Sequence, residues 1–243
     1  MPAAVRSFRA DNPGRFTLDG TRSYVVGERR AVVIDPGPVL DSHLGVLAEA
    51  VGGADQVVVL VTHAHADHAA GADKLARLTG ASVRGPGSGH DLSDGEAIAT
   101  DGGDLVAVST PGHARRHFCF HLPDEGAVFT GDLVLGEGDT TWVGEYPGGV
   151  AHYLSSLDRL DALDARVLYP GHGDPVLDPA DAIARFRNHR LDRIEQVRRA
   201  RAETGSADLD LLTRRVYGEL PPEVHDMAAS GVGAILDYLA SAG

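Results

Sequence analysis

A short segment of the chain carries three histidines and an aspartate in the order His63, His65, Asp67 and His68. It directly follows residues 56–61, a run of mostly β-branched apolar residues that predicts a buried strand. In an extended chain, residues i and i+2 point the same way, so His63 and His65 can converge on one metal ion. Asp67 and His68 stand where the chain turns into a helix and point elsewhere, which suits a second ion beside the first.

Three more potential ligands, His113, Asp132 and His172, each follow a predicted strand and stand beside a glycine. The glycines matter because they let the backbone approach a neighbouring group closely. A ligand set of imidazoles and carboxylates fits zinc, and manganese or iron fits it as well. Four ligand-bearing strand ends at one edge of a sheet scaffold therefore predict a single metal cluster.

The elements that must position these ligands are short. The sequence predicts strands at residues 21–26, 31–34, 56–61, 82–84, 104–109, 117–122, 127–130 and 166–169. It predicts helices at residues 41–51, 71–78 and 151–163. After Pro175 the pattern changes, and a tail of three helices is expected, the second starting at Ser206 and the third after Pro222. We therefore predict a catalytic domain over residues 1–178 and a helical domain over residues 179–243.

Composition limits the function further. The 243 residues include 22 Lys and Arg against 35 Asp and Glu, a net charge of −13, which argues against unspecific binding to nucleic-acid backbones. There are 12 histidines but only one cysteine, Cys119, so neither an intramolecular disulfide nor a thiolate zinc site is available. No apolar run approaches the roughly 18 residues of a spanning helix. Residues 1–12 have no signal-peptide core, so we expect a cytoplasmic protein without membrane contact.

The motif His-x-His-x-Asp-His, with the three later ligands, resembles the metallo-β-lactamase-fold hydrolase superfamily over about residues 15–178. The resemblance implies an α+β fold, the αββα sandwich, with two divalent metal ions. It also implies a role for each ligand, as follows: His63, His65 and His113 hold one ion; Asp67, His68 and His172 hold the other; Asp132 bridges both; and Asp35 supports the metal loop from behind.

A closer resemblance is to the β-lactamase-like protein 2 family. It covers nearly the whole chain, including residues 11–14, 18–21, 135–138 and 153–157 and, in the tail, His189-Arg190, residues 195–197 and Val216-Tyr217. In that family the tail is a small winged-helix-type domain. Because this chain stops just after its last predicted helix, we expect the wing strands to be short or missing.

The expected chemistry is hydrolysis, because two adjacent divalent ions lower the pKa of a bridging water toward neutrality. Asp67 and Asp132 would orient the hydroxide and shuttle its proton. True zinc β-lactamases of this fold usually have Cys or Ser where Asp132 stands, which disfavours antibiotic hydrolysis. A thioester or ester substrate is the first expectation, by analogy with glyoxalase II and the thioesterases of the fold.

Two other functions remain open. Single-stranded RNA cleavage is the first, because seven arginines crowd into one stretch: 185, 187, 190, 193, 198, 199 and 201. Packing of a solvated helix against the acidic body explains the same run. An iron-dependent redox enzyme on this fold is the second. The tail would bind nucleic acid, shape the pocket or form a homodimer contact.

Three residues are predicted to contact the substrate. His117 closely follows a ligand and could act on an anionic substrate, and Trp142 and Tyr146 lie in a glycine-rich stretch that could form a lid. Strand-edge solvent contact and plain loop packing are the competing interpretations of these positions.

Overall fold

The computed structural model describes residues 5–241. In these residues the first sheet has five strands in the order β1 to β5: Val5–Arg9, Arg22–Val26, Arg30–Ile34, Gln56–Leu60 and Ser82–Arg84. Strands β1, β2 and β3 pair antiparallel, and β3, β4 and β5 pair parallel. The parallel arrangement brings the carboxyl ends of β3 and β4 to one edge, where Asp35 and the histidine segment follow.

The second sheet also has five strands, with the order β10-β9-β8-β7-β6. They are β6 Ala97–Ile98, β7 Leu105–Ser109, β8 Phe118–Leu122, β9 Ala127–Gly131 and β10 Val167–Pro170. All neighbours pair antiparallel except β9 and β10. Because β9 and β10 run parallel, Asp132 and His172 follow the ends of both strands at the same edge.

Seven α-helices complete the described part of the chain. Four belong to the body: α1 Asp41–Ala50, α2 Ala66–Ala69, α3 Ala72–Thr79 and α4 Gly149–Asp161. Three form the tail: α5 Pro179–Thr204, α6 Leu209–Tyr217 and α7 Pro222–Ser241. No helix in residues 5–241 is long and apolar enough to cross a membrane.

Three apolar layers hold the fold together. Tyr24, Phe120 and Phe129 lie in the layer between the two sheets. A second layer packs α1 and α3 on the outer face of the first sheet. The third packs α4 and all three tail helices on the outer face of the second sheet, with Leu157 and Phe186 fully buried in it. The predicted αββα sandwich with a helical C-terminal region is confirmed, and the tail shares a core with the body. The division at residue 178 stays a prediction.

The tail helices begin where local chemistry directs them. The Asp178 side chain accepts a hydrogen bond from the backbone N–H of Asp181, and Pro179 occupies the first helical position. The Asp208 side chain caps α6 in the same way, so α6 begins at Leu209 rather than at Ser206, where the sequence predicted its start. Residues 179–241 contain three helices and no strand. Strands β1 and β6 were not predicted, because β1 carries two arginines and β6 has only two residues.

Candidate metal centre

The seven predicted ligand residues come together at the shared edge of the two sheets. Three groups have their ligand atoms within 4.8 Å of one another: His63, His65 and His113; His63, His68 and Asp132; and Asp67, His68 and His172. His113 Nε2 lies 3.0 Å from His65 Nδ1, and His172 Nε2 lies 3.2 Å from both His68 Nε2 and Asp67 Oδ2. The first and third groups reproduce the two ligand triads that the resemblance implies.

Asp132 lies between the two triads, and its two oxygens face different sides. Oδ1 lies 3.3 Å from His68 Nε2 and 3.5 Å from His172 Nε2. Oδ2 lies 3.6 Å from His113 Nε2. One carboxylate can therefore offer one oxygen to each of two adjacent ions.

The hydrogen bonds of Thr62 define which nitrogen of His63 is free. The Thr62 hydroxyl donates to Asp35 Oδ2 at 2.7 Å, and a carboxylate can only accept. The same hydroxyl lies 3.0 Å from His63 Nδ1, so Nδ1 must donate to it. His63 Nε2 then carries a bare lone pair, and it is buried without a hydrogen-bond partner.

Three other histidines of the cluster are oriented by the same principle. His68 Nδ1 donates to Asp35 Oδ2 at 2.8 Å, and His113 Nδ1 donates to the Trp142 carbonyl at 2.9 Å. His172 Nδ1 lies 3.4 Å from the Gly20 carbonyl. In each ring the occupied Nδ1 leaves Nε2 facing the cluster, which is the arrangement that a metal-binding histidine requires.

Asp35 makes the contacts of the predicted supporting residue. Its Oδ1 accepts the backbone N–H of Thr62 at 2.7 Å, while its Oδ2 accepts from Thr62 and His68. Its backbone φ of +50° lies in the left-handed region that non-glycine residues rarely adopt. One buried carboxylate thus holds both the strand end and the ring of His68.

Burial and charge give the cluster uneven protonation. Burial lowers the pKa of His63 well below its usual value and also lowers the pKa of His113. For His68, burial is outweighed by the charges of Asp132 and Asp35, which raise its pKa well above the usual value. Burial would raise the pKa of Asp132, but the charges of the neighbouring histidines, that of His68 first, lower it well below the usual value. The carboxylate is therefore ionised and His63 neutral, as metal binding requires, whereas His68 would release a proton when a metal ion binds.

The residues of the cluster fit a bound metal ion. Two buried atoms aimed at the cluster, His63 Nε2 and Asp132 Oδ1, make no hydrogen bond within the protein. A buried polar atom without a partner costs about 1–3 kcal/mol, so an unsatisfied pair at one point calls for a ligand. A cation bound by imidazoles and carboxylates supplies that missing partner.

Glycine at residue 171 is required by the packing of the cluster. A Cβ added there would collide with the His68 ring and lie 2.8 Å from Asp132 Oδ1. The sequence analysis predicted that glycines beside the ligand residues allow close backbone approach, and Gly171 does this.

A cavity of about 670 Å³ opens onto the ligands. His65, Asp67, His113 and Asp132 line its floor. Its walls are largely apolar and come from four parts of the chain: Phe16 and Leu18; Leu135, Trp142 and Val143; Tyr217; and Val224 and Met227. The tail helices therefore form part of the cavity, as the pocket-shaping alternative for the tail predicts.

A strap over residues 138–142 links this wall to the cluster. The indole N–H of Trp142 donates to the Met227 carbonyl at 3.1 Å, which ties the strap to α7. The Trp142 carbonyl accepts from His113 Nδ1. His189 and Arg190 of α5 hold the strap from another side, through Asp139 at 3.2 Å and the Thr141 carbonyl at 2.7 Å. These contacts connect the tail helices, through the strap, to His113.

The three predicted substrate contacts have different positions. Trp142 lines the cavity. Tyr146 is buried away from the cavity lining, and its hydroxyl pairs with His152 Nδ1 at 3.0 Å.

His117 is fully buried, accepts the backbone N–H of Asp132 at 3.3 Å and pairs with the Thr110 hydroxyl at 2.9 Å. Burial lowers the pKa of His117 to about 3. Its place behind the cluster corrects the expectation of substrate contact: it positions the backbone of Asp132.

The arginine run does not form one basic face. Four of its members make ion pairs: Arg185 with Asp181, Arg187 with Asp158, and both Arg198 and Arg199 with Glu195. Two others, Arg190 and Arg193, line the cavity instead. Arginines that are distributed around a helix, some of them paired with carboxylates, are typical of a solvated helix that packs against an acidic body.

Comparison with known proteins identifies the family. A sequence profile of the metallo-β-lactamase superfamily matches residues 16–92 and 82–172, which include all seven ligands. The chain belongs to the metallo-β-lactamase superfamily. Its fold is that of a β-lactamase domain protein from Burkholderia ambifaria, at a TM-score of 0.84 and 23% identity over 100% of this chain and 90% of that one.

Curated members of the superfamily are also similar over most of their length. An atrochrysone carboxyl ACP thioesterase of Aspergillus chevalieri is 36% identical, covering 93% of this chain and 77% of the relative. The β-lactamase-like protein 2 homolog of Caenorhabditis elegans is 29% identical, covering 99% of this chain and 85% of the relative. The predicted resemblances to the metallo-β-lactamase superfamily and to the β-lactamase-like protein 2 family are confirmed. The chain is a metallo-β-lactamase-fold hydrolase with a cluster able to bind metal.

Proposed function

We propose that this protein is a dinuclear metal-dependent hydrolase of acyl thioesters. The observation that carries the proposal is the apolar cavity that opens directly onto the ligand cluster. An acyl chain can lie against Phe16, Leu135 and Val143 while its carbonyl carbon reaches the cluster. The relative of Aspergillus chevalieri is named a thioesterase, which supports the same substrate class.

The residues divide the work between them. His63, His65 and His113 would hold one ion, Asp67, His68 and His172 the other, and Asp132 would lie between them. The bound ions would supply an activated water and polarise the thioester carbonyl. Asp67 is half-buried at the cavity floor, where it can accept a proton and orient the attacking group. Asp35 and the Trp142 carbonyl hold His68 and His113 in position.

Zinc is the proposed metal, because five imidazoles and two carboxylates suit it. Manganese and iron accept the same donors, so the metal must be measured. Metal analysis of protein purified without chelator is expected to give two zinc ions per chain. A single iron per chain would contradict the two-metal hydrolase and favour the redox alternative.

The RNA alternative has weaker support in the structure. Four of the seven arginines pair with carboxylates, and the cavity beside the cluster is walled mainly by apolar side chains. A single-stranded RNA site would need a charged groove with exposed aromatic platforms.

A parallel screen tests the choice of substrate. Purified protein is incubated with acyl thioesters, lactones, a bis-aryl phosphodiester and single-stranded RNA, beside the His63→Ala variant as a matched control. Hydrolysis of thioesters that disappears in His63→Ala is the expected result. Cleavage of RNA alone, abolished by the same substitution, would overturn the proposal.

A further inference from the structure

Two arginines of α5 differ from the rest of that helix. Arg190 and Arg193 line the cavity, whereas Arg185, Arg187, Arg198 and Arg199 pair with carboxylates. Among the side chains that the structure describes, no carboxylate pairs with either cavity arginine. On the cavity side of this helix, His189 pairs with Asp139, and the two arginines are left without a carboxylate partner.

Arg190 is a buried cation without a carboxylate partner among the described residues. The residue is 5% exposed, and one nitrogen, Nη2, donates to the Thr141 carbonyl at 2.7 Å. Its Nε is buried and has no hydrogen-bond partner. Burial lowers the pKa of Arg190, and the neighbouring charge of Arg193 acts in the same direction. Isolated buried charges are costly, and they persist where they pair with another group.

Arg193 stands beside it with its guanidinium over the ring of Tyr217, 4.2 Å from the centroid. Stacking on an aromatic ring fixes the plane of the guanidinium and leaves its N–H edges available. Such a preoriented edge matches the two oxygens of a carboxylate or phosphate.

Arg190 and Arg193 are local positive charges in a protein that is negatively charged as a whole. At a net charge of −13 the surface repels anions in general, so a local pair of cations in a cavity acts selectively. Arg15 adds a third cation at the cavity lining, from a different part of the chain. The apolar walls next to these cations would exclude water and strengthen an ion pair.

We propose that Arg193, with Arg190 behind it, forms a subsite for an anionic group of the substrate. This proposal rests on the proposed thioester hydrolysis and specifies its substrate class: a thioester that carries a carboxylate or phosphate away from the scissile bond. The anion comes either from the acyl chain or from the carrier that holds the thiol.

Three probes separate these two sources. Hexanoyl-N-acetylcysteamine is neutral at both ends, adipoyl-N-acetylcysteamine adds a carboxylate to the acyl chain, and hexanoyl-coenzyme A adds phosphates to the carrier. Each is hydrolysed by the wild type, by Arg193→Gln and by Arg198→Gln. Arg198 is a matched control, because it lies on the same helix and pairs with exposed Glu195.

We expect Arg193→Gln to raise KM about tenfold or more for one anionic probe, the usual scale for losing a charge-assisted hydrogen bond. The kcat for that probe and the KM for the neutral probe should change less than about twofold. A selective effect on the adipoyl probe assigns the anion to the acyl chain, and one on the coenzyme A probe assigns it to the carrier. Equal changes for all three probes, or none, overturn the subsite.

Binding of adipate provides a readout that does not depend on catalysis. Trp142 is the only tryptophan of the chain and lines the same cavity, so its fluorescence reports occupancy. Adipate should change this fluorescence in wild type and Arg198→Gln, with at least about tenfold weaker binding in Arg193→Gln. If no thioester is hydrolysed, the thioesterase proposal fails, and this titration alone decides the subsite. Equal adipate affinities in all three proteins would then refute it.

Discussion

The metal cluster and the cavity wall are built in opposite ways. The cluster draws its ligands from strand ends of the body, where one segment alone supplies His63, His65, Asp67 and His68. The wall is assembled from the loop around Phe16, the strap at Trp142 and the tail helices. Metal binding therefore depends on short motifs placed at one rigid sheet edge, whereas the shape of the cavity depends on distant parts of the chain coming together.

The first prediction removes the residue shared by both ligand triads. Asp132→Ala deletes the oxygens that face His68, His172 and His113. We expect thioester hydrolysis to fall to assay background and bound metal to decrease, because Asp67, the other carboxylate of the cluster, contacts histidines of one triad only. Metal analysis and initial rates on the same preparation measure both effects. Full activity in this variant would show that the cluster is not the catalytic centre.

The second prediction weakens the support of the cluster and leaves its ligands in place. Asp35→Asn keeps the size of the side chain but removes the charge that His68 Nδ1 and Thr62 contact. Loss of such a partner typically costs 10- to 100-fold in metal affinity or activity, so about that decrease is expected. Competition with a chromogenic chelator gives the affinity. An unchanged affinity would mean that Asp35 serves folding alone.

The third prediction tests whether the tail acts on the cluster through the strap. Trp142→Phe keeps an aromatic ring but loses the hydrogen bond from the indole N–H to the Met227 carbonyl. A neutral hydrogen bond contributes about 1 kcal/mol, so a change of roughly fivefold in kcat/KM is expected, with metal content unchanged. Steady-state kinetics and metal analysis provide the comparison. A loss of metal would place Trp142 with the cluster rather than with the wall.

The smallest effect is expected for an ion pair between tail and body. Arg187 pairs with Asp158 at 2.7 Å, but the aspartate is 68% exposed, so Arg187→Gln should lower the free energy of unfolding by no more than about 1 kcal/mol. Leu157→Ala, in the apolar layer that body and tail share, should cost about 2–5 kcal/mol. Urea denaturation measures both. The reverse order would mean that charge, rather than the shared core, attaches the tail.

Much of the site was predictable because its signals are local. The spacing of His63 and His65 follows from the alternation of an extended chain, and the glycines next to Asp132 and His172 indicate close backbone approach. The role of His117 was not predictable from its position after His113. On the same grounds it could face the cavity, and only the structure shows that it accepts the backbone N–H of Asp132. The position of Tyr146 in the glycine-rich stretch likewise did not show whether its side chain faces the cavity, and in the structure it is buried against His152.

The arginine run shows the limit most clearly. As sequence it is one basic stretch, but in the structure it divides into four members with carboxylate partners, two that line the cavity, and Arg201, which does neither among the described residues. Helical periodicity predicts which residues share a face, but not which element will pack against that face. The carboxylates that neutralise Arg185 and Arg198 lie on α5 itself, whereas the partner of Arg187 lies on α4.

By itself, the amino-acid sequence determined the donor set, the order of the strand-end ligands and the three-helix tail, and its resemblance to a known family implied the sandwich fold. The donor set, the ligand order and the tail follow from short-range rules: period-two alternation, apolar runs of strand length, and helix-start signals such as Pro222. Only the tertiary structure decided which oxygen of Asp132 faces which triad, which histidine nitrogen is free, and which tail side chains enter the cavity. Those features depend on contacts between residues tens to more than a hundred positions apart, such as Trp142 with Met227 and His68 with His172. Packing of complete layers brings such residues together, and no local pattern encodes it.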